Sequence, residues 1–340
     1  MTAKEIIRAR LNHKPTKEVP FELLVEQGLD KRLALYYNDK NWRRNMLRQY
    51  TCRYLHVDTV MMQPISDTRA CDAYGAVWRT DRYPEYLETP PLSEPDFKGY
   101  DFPKAGRFID NIKNNIPWAT QAFTEDSEHY GIISMGWGLF EHSWRILGFE
   151  NALVYMLTDE GFYKELIDRL AELYIEIIKV LEPVPADSIM LGDDWGDQRG
   201  IIFGRELWLK YFKPAWAKIY DEIHKQGKTV IHHSCGSICE IYDDLAEIGM
   251  DCHESVQPEA AGMEPSELKK RYGDRMCFWG CLGSQGILNS GTPAEIKAEI
   301  KRLADIFDEG GFVLSAAKPL LADMPLDKAV AVVEGLAELG

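Results

Sequence analysis

The segment Lys228-Thr-Val-Ile-His-His-Ser-Cys-Gly236 contains a short run of β-branched residues, followed by two histidines and a cysteine, and it ends on glycine. Such a run predicts a short buried strand. His233 and Cys235 are two residues apart, so on an extended backbone both side chains leave the same face. Imidazole nitrogen and thiolate sulfur are good zinc ligands. The segment therefore predicts part of a metal site at a strand end, where α/β barrels carry their chemistry, although a buried core pair is the alternative.

Apolar runs alternate with amphipathic helices on both sides of this segment. Alternation of this kind predicts a parallel sheet covered by helices, and eight strands predict an α/β fold of the (β/α)8 TIM-barrel type. The predicted strands are residues 19–25, 58–62, 131–135, 188–192, 229–233, 252–256, 276–279 and 311–315. A G-x-G-x-x-G fingerprint and a P-loop are both missing from the sequence, which argues against nucleotide-binding folds.

The domain organisation follows from the same pattern. We expect one domain over residues 1–340 that opens with a helical segment. A long irregular, proline-containing region at residues 64–128 follows the second predicted strand, with a small hairpin near Ala73–Trp78. This region is too long for an ordinary barrel loop and predicts a rim insertion.

The net charge and composition of the chain exclude some classes of binding partner and favour one cellular compartment. The net charge of -15 without a basic tract argues against nucleic acid. The sequence contains no run of about eighteen apolar residues, so no membrane span is predicted. The charged N-terminus lacks the apolar core of a signal peptide. We therefore expect a cytoplasmic protein with no membrane partner. Five of the seven cysteines lie between Cys235 and Cys281, which favours a thiolate-rich site over disulfides.

Residues that can bind metal or substrate concentrate at the predicted strand ends, where barrel active sites are built. The candidate catalytic residues are Asp194 and Glu254, the candidate metal ligands are His233, Cys235 and Cys281, and the candidate substrate contacts are Trp137, Trp195, Gln198 and Trp279. Glu254 is chosen over His253 because neighbouring strand residues face opposite sides. This concentration favours a metal site over chance.

Other interpretations of individual residues stay open. The tryptophans could equally pack the rim of the barrel. Asp193 or Asp197 could cap the helix that begins near Gly204. Glu141 and His142 are expected to be packing or surface residues rather than ligands.

Several segments together resemble the uroporphyrinogen decarboxylase superfamily. They are His233-Ser-Cys-Gly236, Gly280-Cys-Leu-Gly-Ser-Gln285, Gly291-Thr-Pro-Ala-Glu295, Gly310-Gly-Phe-Val-Leu-Ser315, and Arg10-Leu-Asn-His13 shortly before Val19-Pro-Phe21. The resemblance runs through nearly the whole chain in order and implies a (β/α)8 barrel.

Two branches of that superfamily differ in chemistry. Decarboxylases carry an arginine-rich segment that holds the carboxylates of the tetrapyrrole, whereas residues 21–28 here contain two glutamates and no arginine. The other branch comprises zinc methyltransferases that serve corrinoid proteins, and its His-x-Cys mark is matched by His233 and Cys235. The resemblance thus implies zinc, and transfer of a methyl group from a small methylated donor to the cob(I)alamin of a corrinoid protein. A methoxylated aromatic donor, as in an O-demethylase, is the expected substrate.

One position departs from the methyltransferase pattern. Lys318 stands near the place of the third zinc-binding cysteine of the coenzyme M methyltransferases, and an ammonium group cannot bind zinc. The third ligand would then be Cys281 or Glu254, unless zinc binds weakly or not at all. The alternatives are a metal-free decarboxylase-like enzyme, a methylcobamide:thiol methyltransferase, and a non-catalytic protein that docks a corrinoid partner.

Overall fold

Eight parallel strands form one curled sheet in the computed structural model, which describes residues 1–339 without the side chains of residues 52 and 53. Four more strands form a separate antiparallel sheet. In chain order the strands are β1 (Phe21–Glu22), β2 (Thr51–Val57), β3 (Gln63–Ser66), β4 (Arg69–Cys71), β5 (Val77–Arg79), β6 (Tyr86–Thr89), β7 (Tyr130–Met135), β8 (Ser188–Gly192), β9 (Thr229–His233), β10 (Cys252–Val256), β11 (Cys277–Leu282) and β12 (Phe312–Ala316).

Helices follow most strands of the parallel sheet and cover its outer face. They are α1 (Ala3–Leu11), α2 (Gln27–Tyr36), α3 (Trp42–Met46), α4 (Ala105–Ile112), α5 (Ile116–Glu125), α6 (Leu139–Leu147), α7 (Phe149–Thr158), α8 (Glu160–Val180), α9 (Arg205–Leu207), α10 (Lys213–Lys225), α11 (Tyr242–Glu247), α12 (Pro265–Tyr272), α13 (Ile287–Ser290), α14 (Pro293–Ile306) and α15 (Leu326–Ala337). A π-helical segment spans Trp208–Phe212 and a 3-10 turn spans Cys239–Ile241. Within residues 1–339, every helix is too short or too polar to cross a membrane.

The strand order is that of a TIM-like barrel. The parallel sheet runs β1-β12-β11-β10-β9-β8-β7-β2, so β1 lies beside the last strand, with Phe21 opposite Leu314. Side chains join the two edge strands, because the Glu22 carboxyl group accepts hydrogen bonds from the hydroxyls of Tyr54 at 2.6 Å and Thr51 at 3.1 Å. All carboxyl ends of the parallel strands therefore meet at one face.

Alternation along β9 decides which histidine faces the interior of the curled sheet. His232 is fully buried on the helix side, where its ring stacks on Trp195 at 4.5 Å and bonds to the Tyr220 hydroxyl at 2.8 Å. His233 is half-buried and faces the other way. Cys235, two residues further along the chain, has its Sγ 3.6 Å from Nε2 of His233.

The second predicted strand, residues 58–62, is wrong. The strand is Thr51–Val57, and Asp58 instead closes a turn by accepting hydrogen bonds from the backbone N–H groups of Val60 and Met61. Polar side chains at Tyr54 and His56 interrupt the apolar run of this strand because they line the interior. Its pattern therefore does not look like that of a buried strand.

The segment between β2 and β7 forms the antiparallel sheet β3-β4-β5-β6 and then α4 and α5. Asp72 is buried at the β4–β5 turn and accepts hydrogen bonds from the N–H groups of Tyr74 and Ala76 and from the Trp78 indole. Arg145 of α6 lies 3.8 Å from the same carboxylate and connects this sheet to the body of the protein.

Candidate metal centre

Three potential ligand atoms converge at the carboxyl ends of β8 and β9. They belong to Asp194, His233 and Cys235, and all lie within 4.8 Å of one another. Nε2 of His233 is 3.6 Å from Asp194 Oδ1 and 3.6 Å from Cys235 Sγ. A tetrahedral zinc ion with bonds of about 2.0–2.3 Å separates its ligands by about 3.5 Å. The donor set and its spacing therefore fit zinc.

Strand register brings these residues together. Gly192, the last residue of β8, lies opposite His233, the last residue of β9. Asp194 and Cys235 each come two residues after those positions, and Asp194 Oδ1 accepts a hydrogen bond from the Cys235 N–H at 2.8 Å. Gly236 then turns the chain at a φ of 75°, and a Cβ there would lie 2.6 Å from the Asp197 carbonyl oxygen. Glycine is needed at that turn.

Glu254 contacts the ring of His233 through Nδ1. It lies opposite His233 in the β9–β10 pairing, and its Oε2 is 2.5 Å from His233 Nδ1. A carboxylate on one imidazole nitrogen fixes the tautomer and leaves the other nitrogen free for a metal. The predicted catalytic residue Glu254 therefore has the geometry of a partner that orients a ligand. His253 faces the helices and bonds to the Tyr242 hydroxyl.

The electrostatics of His233 favour positive charge. Burial lowers its pKa, but Glu254 and Cys235 outweigh burial and hold the pKa of His233 well above its usual value. The protonated form of this ring is therefore favoured.

Two cavities meet at His233. One, of about 370 Å³, is lined by Trp137, Glu141 and Asp194 among others. The other, of about 340 Å³, is lined by residues of β1, β2, β10 and β12 and by Lys318. Both are within the size range of small-molecule sites, so substrate could reach the proposed metal position from either side.

Glu141 belongs to the site, which corrects the expectation that it is a packing or surface residue. It lies in the first turn of α6, accepts a hydrogen bond from the Gly138 N–H at 3.2 Å and lines the larger cavity. Burial, followed by the charge of Asp193, raises the pKa of Glu141. Its spacing three residues after Gly138, directly after a strand, is the sequence signal that could have identified it.

A family model for uroporphyrinogen decarboxylase (URO-D) matches residues 82–339. The chain belongs to the URO-D family. The resemblance inferred from the sequence segments is thereby confirmed, and the match contains Asp194, His233, Cys235 and Glu254.

Comparison with other proteins extends this result to the fold. A methyltransferase from Methanosarcina mazei superposes on this URO-D chain with a TM-score of 0.71 at 16% identity, covering 99% of each chain. A second structure, described as native KDPGal, covers 66% of this chain and 90% of its own at 11% identity and a TM-score of 0.27. None of the curated proteins matches the sequence.

Cys281 of this URO-D chain does not join the other predicted ligands. It is fully buried, and Glu264, Glu299 and Arg302, which lie in the helical layer, are the charges that act on its thiol. Positive φ angles at Gly280 (128°) and Cys281 (71°) break the alternation of β11. Asp194 takes the position in the ligand group that was expected of Cys281.

The four predicted substrate contacts divide in the URO-D structure. Trp137 is 41% exposed, lines the larger cavity and stacks on the Arg145 guanidinium at 3.8 Å. Trp195 and Trp279 are fully buried outside both cavities, and the Trp195 indole donates to Asp193. Gln198 is exposed on a loop that also lies outside them.

Asp193, which was considered as a cap for the helix near Gly204, caps α6 instead. It is fully buried and accepts hydrogen bonds from the N–H groups of Phe140 and Glu141 at 3.0 Å each. These bonds satisfy free donors at the N-terminus of α6. Asp193 thereby fixes the helix that carries Glu141.

Proposed function

We propose that this URO-D family member is a zinc-dependent methyltransferase. It would move a methyl group from a small methylated donor, most simply a methoxylated aromatic compound, to the cob(I)alamin of a corrinoid protein. The observation that carries the proposal is the convergence of Asp194, His233 and Cys235 at spacings that fit zinc. A solved methyltransferase with the same fold supports the reaction class.

The chain's own residues have distinct parts in this chemistry. Asp194, His233 and Cys235 would hold the metal, and Glu254 would keep His233 in the binding tautomer. Bound zinc would supply Lewis acidity at the ether oxygen of the donor. Glu141, whose pKa is raised, could give that oxygen a proton as the methyl group leaves.

Trp137 offers a surface for the donor. Its ring is partly exposed in the cavity that also contains Glu141 and Asp194, and the Arg145 guanidinium supports it. Contact with such a ring suits the methoxy end of an aromatic donor. The proposed acceptor is the reduced corrinoid, so the protein requires no nucleophile of its own.

Zinc content is the first test. We expect about one zinc per chain in the wild type, and its loss in His233→Ala and Cys235→Ala. Asp194→Asn should weaken zinc binding. Asp197→Asn is its matched control, because Asp197 is a nearby exposed loop carboxylate whose contacts are with the Arg199–Gly200 segment. Undiminished zinc in all three site variants would rule out this ligand set.

Methyl transfer is the second test. Purified protein is mixed with reduced cobalamin and a panel of methoxylated aromatics, methylamines and methylthiols, and methylcobalamin is followed by its absorbance. Transfer from a methoxylated aromatic is the expected result. No transfer from any donor, or conversion of uroporphyrinogen to coproporphyrinogen, would contradict the proposal, the latter in favour of a decarboxylase-like enzyme. Transfer to a thiol from methylcobalamin would point to the thiol methyltransferase.

A further inference from the structure

Among the residues whose side chains the structure describes, Lys318 is the one lysine or arginine that lines the two cavities at His233. The side chain is exposed at the mouth of the smaller cavity. Within residues 1–339, its ammonium group has no hydrogen-bond or ion-pair partner. A positive charge is thus available to a ligand at the mouth of a cavity whose wall also contains the carboxyl groups of Glu22 and Glu254.

The backbone around Lys318 is fixed. The Ala317 N–H donates to Leu282 O at 3.1 Å, and the Ser255 hydroxyl donates to Ala317 O at 2.7 Å. On the other side, the Leu320 N–H donates to Leu24 O at 2.9 Å. Since Ser255 directly follows Glu254, the segment that carries Lys318 is attached to the strand that orients His233.

The wall of the smaller cavity is partly aromatic. Tyr54 and His56 form part of its wall, with ring planes only 7° apart and centroids 5.5 Å from each other. A volume of about 340 Å³ accommodates a compound with a single ring.

We propose that Lys318 binds a carboxylate on the methyl donor, so that the protein selects acidic donors over neutral ones. The carboxylate would lie at Lys318 and the methoxy end would point toward His233, where the smaller cavity meets the cavity that contains Trp137 and Glu141. Attraction between Lys318 and the carboxylate of the donor, together with the carboxyl groups of Glu22 and Glu254 elsewhere in the cavity, would set the direction in which the donor enters. That the bound acid is a methyl donor rests on the proposed function, whereas the preference for an acid over a neutral compound does not.

Binding of matched acids and amides tests the inference. The three isomeric methoxybenzoates and the corresponding methoxybenzamides are titrated calorimetrically into the purified protein. We expect the wild type to prefer at least one acid over its amide. Lys318→Met should weaken binding of that acid by about tenfold, the loss of one charge-assisted contact, and should change binding of the amide less than about twofold.

Two further variants control for charge and for folding. Lys318→Arg keeps the cation and should keep the preference for the acid. Lys301→Met removes the same charge from the outer helix α14, where Lys301 contacts only Asp305 at 3.4 Å, and should leave binding unchanged. Circular dichroism establishes that each variant is folded.

The inference fails if the wild type binds acids and amides equally, binds neither, or if Lys318→Met weakens both alike. These outcomes are distinct from failure of the proposed function. Methyl transfer from neutral donors without a preference for acids would refute only the role of Lys318. A Lys318-dependent preference for acids without zinc or methyl transfer would refute only the methyltransferase.

Discussion

Glu254 bonds to Nδ1 of His233 at 2.5 Å, and Nε2 of the same ring lies 3.6 Å from both Asp194 and Cys235. The carboxylate and the other two side chains therefore occupy opposite edges of one imidazole. Such an arrangement makes Nδ1 the nitrogen that keeps its proton when Nε2 binds a metal.

Replacing Glu254 with Gln should weaken zinc binding by about 10- to 100-fold, because the amide does not stabilise the binding tautomer as a carboxylate does. Competition with a chromophoric chelator measures the effect. Glu240→Gln, at an exposed carboxylate outside the ligand group that contacts only the loop of Ile201, is the control. Equal zinc affinity in wild type and Glu254→Gln would contradict the orienting role.

Glu141→Gln should lower the rate of methyl transfer by about 100-fold if Glu141 is the acid that protonates the leaving oxygen. The raised pKa of Glu141 keeps it protonated near neutral pH, so the wild-type rate should fall as the pH increases through that pKa. The variant should lose this alkaline decline. A decline that persists unchanged in Glu141→Gln would assign it to another group.

Gly236→Ala should destabilise the protein and weaken zinc binding together. The new Cβ would lie 2.6 Å from Asp197 O at a φ of 75°, so the backbone that positions Cys235 must move. Gly227→Ala is the matched control, because its φ is 69° but its surroundings are open. The control should cost about 1 kcal/mol through φ alone. Thermal unfolding should show a clearly larger loss at Gly236.

His224 gives the stability a modest dependence on pH. Its Nε2 lies 2.8 Å from Asp251 Oδ2, and this contact raises the pKa of His224 above its usual value. Because the folded state binds the proton more tightly, the stabilisation is complete below about pH 6.5 and is lost as the pH rises through the folded-state pKa.

The difference in unfolding free energy between wild type and His224→Gln should therefore be larger at pH 6 than at pH 9. Since both side chains are more than a third exposed, we expect this change to be below about 1 kcal/mol. Urea unfolding at the two pH values measures it. A larger difference at the higher pH would show that the sign is wrong.

The sequence predicted the parts of the fold where local pattern and tertiary environment agree. Strands β8, β9 and β10 have the predicted bounds, since each is a run of mainly apolar residues between turn signals. Strand β2 was missed because polar residues that line the interior replace part of its apolar run. Hydrophobic periodicity does not distinguish such a strand from a loop.

The site was predicted in part for a similar reason. The closeness of His233 and Cys235 was predicted because it depends only on the local backbone at the end of β9. The orientation of Cys281 depends on two successive positive φ angles, and the place of Trp195 depends on a loop. The environment of Glu141 depends on the contact between Asp193 and the first turn of α6. The orientation of Cys281 and the position of Trp195 are not encoded by spacing along the chain.

The pairing of Phe21 with Leu314 also bears on how the protein is made. During synthesis, β1 leaves the ribosome early, but its neighbour in the sheet emerges only after almost all of the described chain has been translated. A nascent chain that ends before β12 already contains Asp194, His233 and Cys235, yet it lacks the wall formed by Ser315 to Pro319. Completion of the cavity therefore has to wait for β12, well after the proposed metal ligands have been translated.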